Sequence, residues 1–206
     1  MANSQNVIAA TVPAGSAAVF AAPLGTTLPT DAEAALDAAF VDLGYISEDG
    51  VTNVTNKETT KHYAWGGDVV KTTLDRYTET VRFALLESSA AALKMAFGED
   101  NVTETPAAAG TPGKITVKHS SLMLSRQVVV IEFIDGDLAG RLLVKEGQVT
   151  EIGDMTYTNT GLLMYDLTVD CFKPADGSDA VEVYFKTPAL PEAATATVRR
   201  PAEAKA

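Results

Sequence analysis

Cysteine is nearly absent from this 206-residue chain: Cys171 stands alone, so no disulfide can form within it and no thiolate metal cluster can be built. Among its alternating apolar neighbours it reads as a core thiol. Histidine is almost as scarce, with only His62 and His119, each preceded by lysine in a polar, strand-like stretch. Nucleophilic catalysis wants a base beside a nucleophile, held by a third group, and neither histidine has that setting. Trp65 is the sole tryptophan. Carboxylates are numerous enough for a glycosidase-like pair to be drawn, but no aromatic groove accompanies them. No run approaches the roughly 18 to 20 apolar residues of a membrane span. Residues 1–10 lack the basic and apolar regions of a secretion signal, so a soluble product of the cytosol is expected. Gly66 and Gly67 are followed by Asp68, which would oppose a phosphate, and they read as a turn. Asp42, Glu48, Asp49 and Gly50 do not have the spacing of a calcium loop. No metal or cofactor is expected, and no enzyme.

Basic residues are missing from the first fifty positions, which hold six carboxylates. Residues 131–185 repeat the imbalance, with eleven acids against Arg141, Lys145 and Lys173, whereas 51–130 is nearly neutral. These two zones carry −6 and −8, and the small positive balance of the middle (+1) and of residues 186–206 (+2) brings the formal net charge to −11. Such a surface repels polyanions instead of gripping them, because binding nucleic acid by counterion release needs lysine and arginine aligned on phosphates. The zones are either a solvated face that maintains solubility or a surface whose task is not to adhere.

At 46% hydrophobic the chain can bury one core, so a single domain, about 40–185, with terminal extensions at 1–39 and 186–206, is the expected organisation. Pro13, Gly15, Pro23, Gly25 and Pro29 make the N-terminal stretch an arm. Within it, Thr30 and Glu33 have capping-box spacing, and Ala32, Leu36 and Phe40 recur at helical intervals, which predicts a short helix over 31–39. Beyond Val41 the dominant period is two. Val81, Phe83 and Leu85 alternate with Thr80, Arg82 and Ala84, and Ile115 and Val117 with Thr116 and Lys118. Val128 to Ile131 is apolar on both faces and suits a central strand. One helix is predicted at about 88–97, capped by Ser88 or Ser89, with Ala90, Leu93 and Phe97 as its apolar stripe and Gly98 at its exit. Residues 101–113, rich in Pro, Gly and Ala, read as a flexible loop.

The clearest amphipathic strand comes late. Leu163, Tyr165, Leu167, Val169 and Cys171 point one way, Asp166, Thr168 and Asp170 the other. The strand before it, about 148–157, slips phase at Glu151, Ile152, Gly153 and Asp154, which predicts a bulge, and Thr158 to Gly161 reads as a compact hairpin connection. Trp65 has two readings: a core residue, or an anchor at the end of a hairpin over about 51–77 that projects from the domain. The Thr- and Asn-rich run from Thr52 to Thr60 makes a poor core strand and a reasonable exposed one.

Five segments occur in order between residues 15 and 185: Val19 to Asp31, Ala38 to Gly50, Ala64 to Asp68, Gly98 to Val102 and Val149 to Asp154. Together they resemble the major tail proteins, or tail tube subunits, of long-tailed non-contractile bacteriophages, especially those of actinobacterial hosts. The resemblance implies a mainly β fold, an antiparallel β-sandwich or barrel-like domain with one flanking helix, a long projecting hairpin and extended terminal arms. It also implies hexameric rings stacked into a tube in the virion, assembled in the host cytoplasm, through which DNA passes without specific binding. Partners so implied are further copies of the chain, the tape measure protein and the terminator and tip proteins, and no membrane.

On that reading Asp166 and Asp170 line the channel, joined by Glu151 and Asp154 according to the face the bulge gives them. Tyr63, Trp65, Gly66 and Gly67 make ring-to-ring contacts. A monomeric β-sandwich module that binds or decorates a virion surface or tail tip is the alternative.

Overall fold

A computed structural model describes residues 7–12 and 17–186. The described chain is mainly β, with ten strands: β1 (Val19–Pro23), β2 (Val41–Asp42), β3 (Ile46–Tyr63), β4 (Val69–Leu85), β5 (Val102–Thr105), β6 (Lys114–Val117), β7 (Gln127–Asp135), β8 (Leu138–Ile152), β9 (Tyr165–Cys171) and β10 (Val181–Phe185). The single α-helix is α1 (Ala90–Phe97). All pairings are antiparallel. The main sheet runs β2-β1-β7-β8-β9-β4-β3, and β10 pairs with the N-terminal half of β8 where β9 takes the C-terminal half. Among the described residues it is not a closed barrel: β2 and β3 keep unpaired outer edges, and the second sheet is only the β5-β6 hairpin.

Period-two alternation dictates which face is buried. Val81, Phe83 and Leu85 on β4, Leu167 and Val169 on β9, and Val129 and Ile131 on β7 meet on one face with Ala92, Leu93 and Ala96 of α1. An eight-residue helix is too short to persist alone, so α1 depends on this packing. Ser89 caps it by accepting from Ala92 N at 3.2 Å, and Gly98 ends it at φ +94°, a region an L side chain avoids. Val128 to Ile131 is buried on both faces as its composition predicts, because Val128 and Val130 serve a second core on the sheet's other side.

That second core explains a departure from expectation. Residues 31–39 form bends, not a helix. The Asp31 carboxylate accepts from Glu33 N at 2.8 Å and Ala34 N at 2.5 Å, which closes a tight turn, a second turn follows where Phe40 N donates to Asp37 O at 3.0 Å, and Leu36 and Phe40 pack over Val130 and Leu143. Asp31, not Thr30, is the residue that caps. The amides of Ala34 and Glu33 hold its carboxyl below the usual carboxylate range.

Two loop assignments also change. Residues 102–105 are strand β5, because Val102 is buried against α1 and pairs with Val117, leaving only 106–113 as the connection to β6. The strand before β9 ends at Ile152, and its bulge lies at Thr150, where the register shifts between Val149 and Glu151. The segment 153–164 is irregular, so no compact hairpin stands at Thr158 to Gly161, although Gly161 N does reach the Thr158 hydroxyl at 3.1 Å. Part of the N-terminal arm is docked: Thr11 exchanges main-chain hydrogen bonds with Ile134 at 3.1 and 2.8 Å. The expected C-terminal arm lies, after Lys186, outside the described residues.

Candidate functional site

Register decides which acids share a surface. In one row across the sheet stand Thr52, Arg82, Thr168 and Glu151; in the next stand Val54, Thr80, Asp170 and Gln148; Asp166 pairs with Ala84. Cross-strand partners project to the same side. Asp166, Asp170 and Glu151 therefore lie together on the face opposite α1, and the bulge at Thr150 is what turns Glu151 toward them. Asp154 stands apart, beyond the end of β8. Arg82 joins the three acids, a residue whose place the alternation of β4 contains but whose neighbours only the register reveals.

Three other acids of the late zone are paired. Glu132 pairs with Arg141 at 2.5 Å, Glu182 with Lys145 at 2.5 Å, and Glu146 with Arg126 at 3.0 Å. Among the described residues, Asp166, Asp170, Glu151 and Asp154 form no ion pair. The open face carries three unpaired carboxylates against one guanidinium. At the other end of the same side the arm covers the sheet, and a buried Arg141 fixes it there. This clamp was invisible to sequence reasoning, since nothing in the spacing of residues 31 and 141 links them.

The hairpin β3-β4 is the second feature. β9 covers β4 only from Thr80 to Leu85, so Val69 to Glu79 stand clear of the sheet, about 36 Å at 3.3 Å per residue. Thr, Asn, Lys and Glu along these strands suit a solvated ribbon. At its base Glu79 is buried and accepts from Asn53 Nδ2 at 2.9 Å and Tyr77 Oη at 2.6 Å, and that hydrogen bond holds the Tyr77 hydroxyl above its ordinary pKa. Cys171 lies on the same side, where burial, reinforced by the Glu79 and Asp170 charges, pushes its thiol up to about 12. A thiol so held is no nucleophile.

At the tip Gly67 N donates to Ala64 O at 2.9 Å, and Gly67 takes φ +89°. Trp65 occupies a corner of this turn and is fully exposed, with Tyr63 62% exposed beside it. The core reading of Trp65 is thereby overturned. His62 sits on the exposed ribbon, 3.0 Å from the Thr73 hydroxyl, and His119 stacks at 4.9 Å from the Phe97 ring. Among the described residues no third group orients either ring, and none group as a metal site.

A family of known proteins accounts for this combination. The phage tail tube protein family matches residues 1–196. The chain belongs to that family. It is thus a structural protein of the phage tail and not an enzyme. Among solved structures, it is similar to the anti-feeding prophage cap (AFP tube terminating cap), determined by cryo-EM, with TM-score 0.44 and 10% identity over 91% of this chain and 100% of that one. No curated protein matches it in sequence.

Proposed function

We propose that copies of this tail tube family member close edge to edge into rings, six to a ring as the family resemblance implies, and stack into a tube that conducts the genome at ejection. The observation that carries this is the unpaired acidic face of β8, β9 and β4. Facing inward, Asp166, Asp170 and Glu151 give the bore a net negative wall that phosphate cannot grip, so DNA slides. Arg82 is too few to reverse that sign. The free edge of β3 is an invitation to pair, and ring closure removes it. A small barrel built by one chain leaves room only for side chains, whereas several chains together enclose a channel.

In this reading the hairpin tip, with Trp65, Tyr63, Gly66 and Gly67, reaches the adjacent ring. Asp154 lines the bore only if the irregular segment after β8 faces it. The tape measure protein and the terminator and tip proteins meet the tube inside and at its ends, and assembly takes place in the host cytoplasm. Phage carrying Asp166→Lys with Asp170→Lys should build tails of normal length and eject DNA more slowly. Unchanged ejection kinetics would remove these residues from the bore.

A further inference from the structure

The fully exposed Trp65 packs on nothing among the described residues, and Tyr63, Val69 and Val70 around it are all more than half exposed. Elsewhere on the molecule an apolar groove of about 720 Å³ is equally unfilled. It runs between the β1-β2 edge and α1 and is closed on its third side by residues 122–127. Val41, Leu122 and Met123 on its rim are 50%, 78% and 71% exposed, and Met95 and Ala91 form its wall. Exposed apolar surface of this kind, concave and bordered by polar groups, marks an interaction site.

Three observations select a second copy of this chain as the occupant. The hairpin leaves the core at Ile46, separated by three residues from the groove strand β2, but β3 then runs seventeen residue steps to Tyr63, so the tip lies roughly 50 Å from the groove of its own chain. A chain's own tip therefore does not fill its own groove. The charges match as well: Asp100 and Glu104 at the groove have no ion-pair partner among the described residues, while Lys57 and Lys61 lie on the face of β3 that carries Tyr63. Finally, donor and acceptor are different patches, one at the hairpin tip and one near its base, which makes the contact heterologous and able to propagate.

We propose that the groove beside α1 is the receptor for the hairpin tip of a neighbouring copy, with Trp65 inserted between Met95 and Met123. The inference rests on the self-assembly reading and names the surface that reading leaves open. Magnitude also fits. Trp and Tyr bury about 150 to 250 Å² each, so the tip supplies less than the roughly 800 Å² per partner of a stable pairwise interface. A single contact is weak, and only a ring of them holds.

Because Trp65 is the sole tryptophan, its fluorescence reports the event directly. Wild-type protein concentrated until rings or tubes appear by electron microscopy should show a blue-shifted, quencher-protected emission relative to dilute protein. Met123→Glu should abolish the shift and raise the concentration needed for assembly at least tenfold. Mixing Ala64→Cys with Ser125→Cys, both in a Cys171→Ala background, should give an oxidative cross-link that neither gives alone. Rings or tubes in which Trp65 stays solvent-quenched, or in which the mixed pair does not cross-link, would overturn the docking while leaving the assembly reading intact. Wild-type protein that stays monomeric throughout would remove the assembly reading and the docking with it.

Discussion

Arg141 donates from Nη1 to the main-chain carbonyl of Asp31 at 2.8 Å, a bond between residues 110 positions apart that ties the N-terminal arm to the centre of the sheet. The same guanidinium donates from Nη2 to Ala34 O at 2.8 Å and from Nε to Glu132 at 3.0 Å. With the side chain 4% exposed, this is a buried charge whose every partner is a carbonyl or carboxylate. Removing it leaves the partly buried Glu132 carboxylate and two carbonyls without their donor.

Arg141→Met should therefore cost about 3 kcal/mol, the scale for breaking a buried ion pair by removing one partner. For a chain of this size that lowers the melting temperature by roughly 10 °C. Arg141→Lys should recover little, since an ammonium cannot present the planar fork that serves three acceptors. Limited proteolysis should cut first within 24–40 in either variant, and thermal melts with mapped cleavage sites check both.

The two ends of the burial scale make a matched pair. Leu167 is fully buried between sheet and helix, and Leu167→Ala should destabilise the subunit by about 3 kcal/mol through transfer loss and cavity formation. Trp65→Ala should change monomer stability by less than about 0.5 kcal/mol, because a fully exposed side chain loses nothing on truncation. Urea unfolding of the dilute protein measures both. A large effect of Trp65→Ala on the monomer would contradict the projecting hairpin.

Acid should loosen the arm. The Asp31 carboxyl is held low by the Ala34 and Glu33 amides, and that of Glu182 by Lys145 and the Tyr184 hydroxyl. Groups with a depressed folded pKa contribute their full stability above the unfolded value, roughly 4. The contribution is lost as pH falls through that value toward the folded one. The urea midpoint should thus decline between about pH 5 and pH 3, and Asp31→Asn with Glu182→Gln should flatten that decline.

Much of the fold was legible because local period and burial agree. Val81, Phe83 and Leu85 could only face a core, and Ser89 with Gly98 bracket α1 as their chemistry demands. The 31–39 segment misled because Ala32, Leu36 and Phe40 satisfy helical spacing and a strap of successive turns equally well. Tertiary packing on Val130 and Leu143, together with the Asp31 turn and the distant Arg141, chose the strap. Asp166 and Asp170 shared a face by alternation alone, whereas Glu151 needed the position of the bulge and Arg82 needed the β4-β9 register. The groove arises from three segments far apart in sequence, and no local pattern announces it.

The central claim is that the acidic face of β8, β9 and β4 lines the bore of an assembled tube. A cryo-EM reconstruction of tubes or tails built from this chain tests it most directly. The account predicts Asp166, Asp170 and Glu151 on the inner wall, with α1 toward the outside. A map that puts those three carboxylates on the outer surface, or lines the bore with basic side chains, would contradict it.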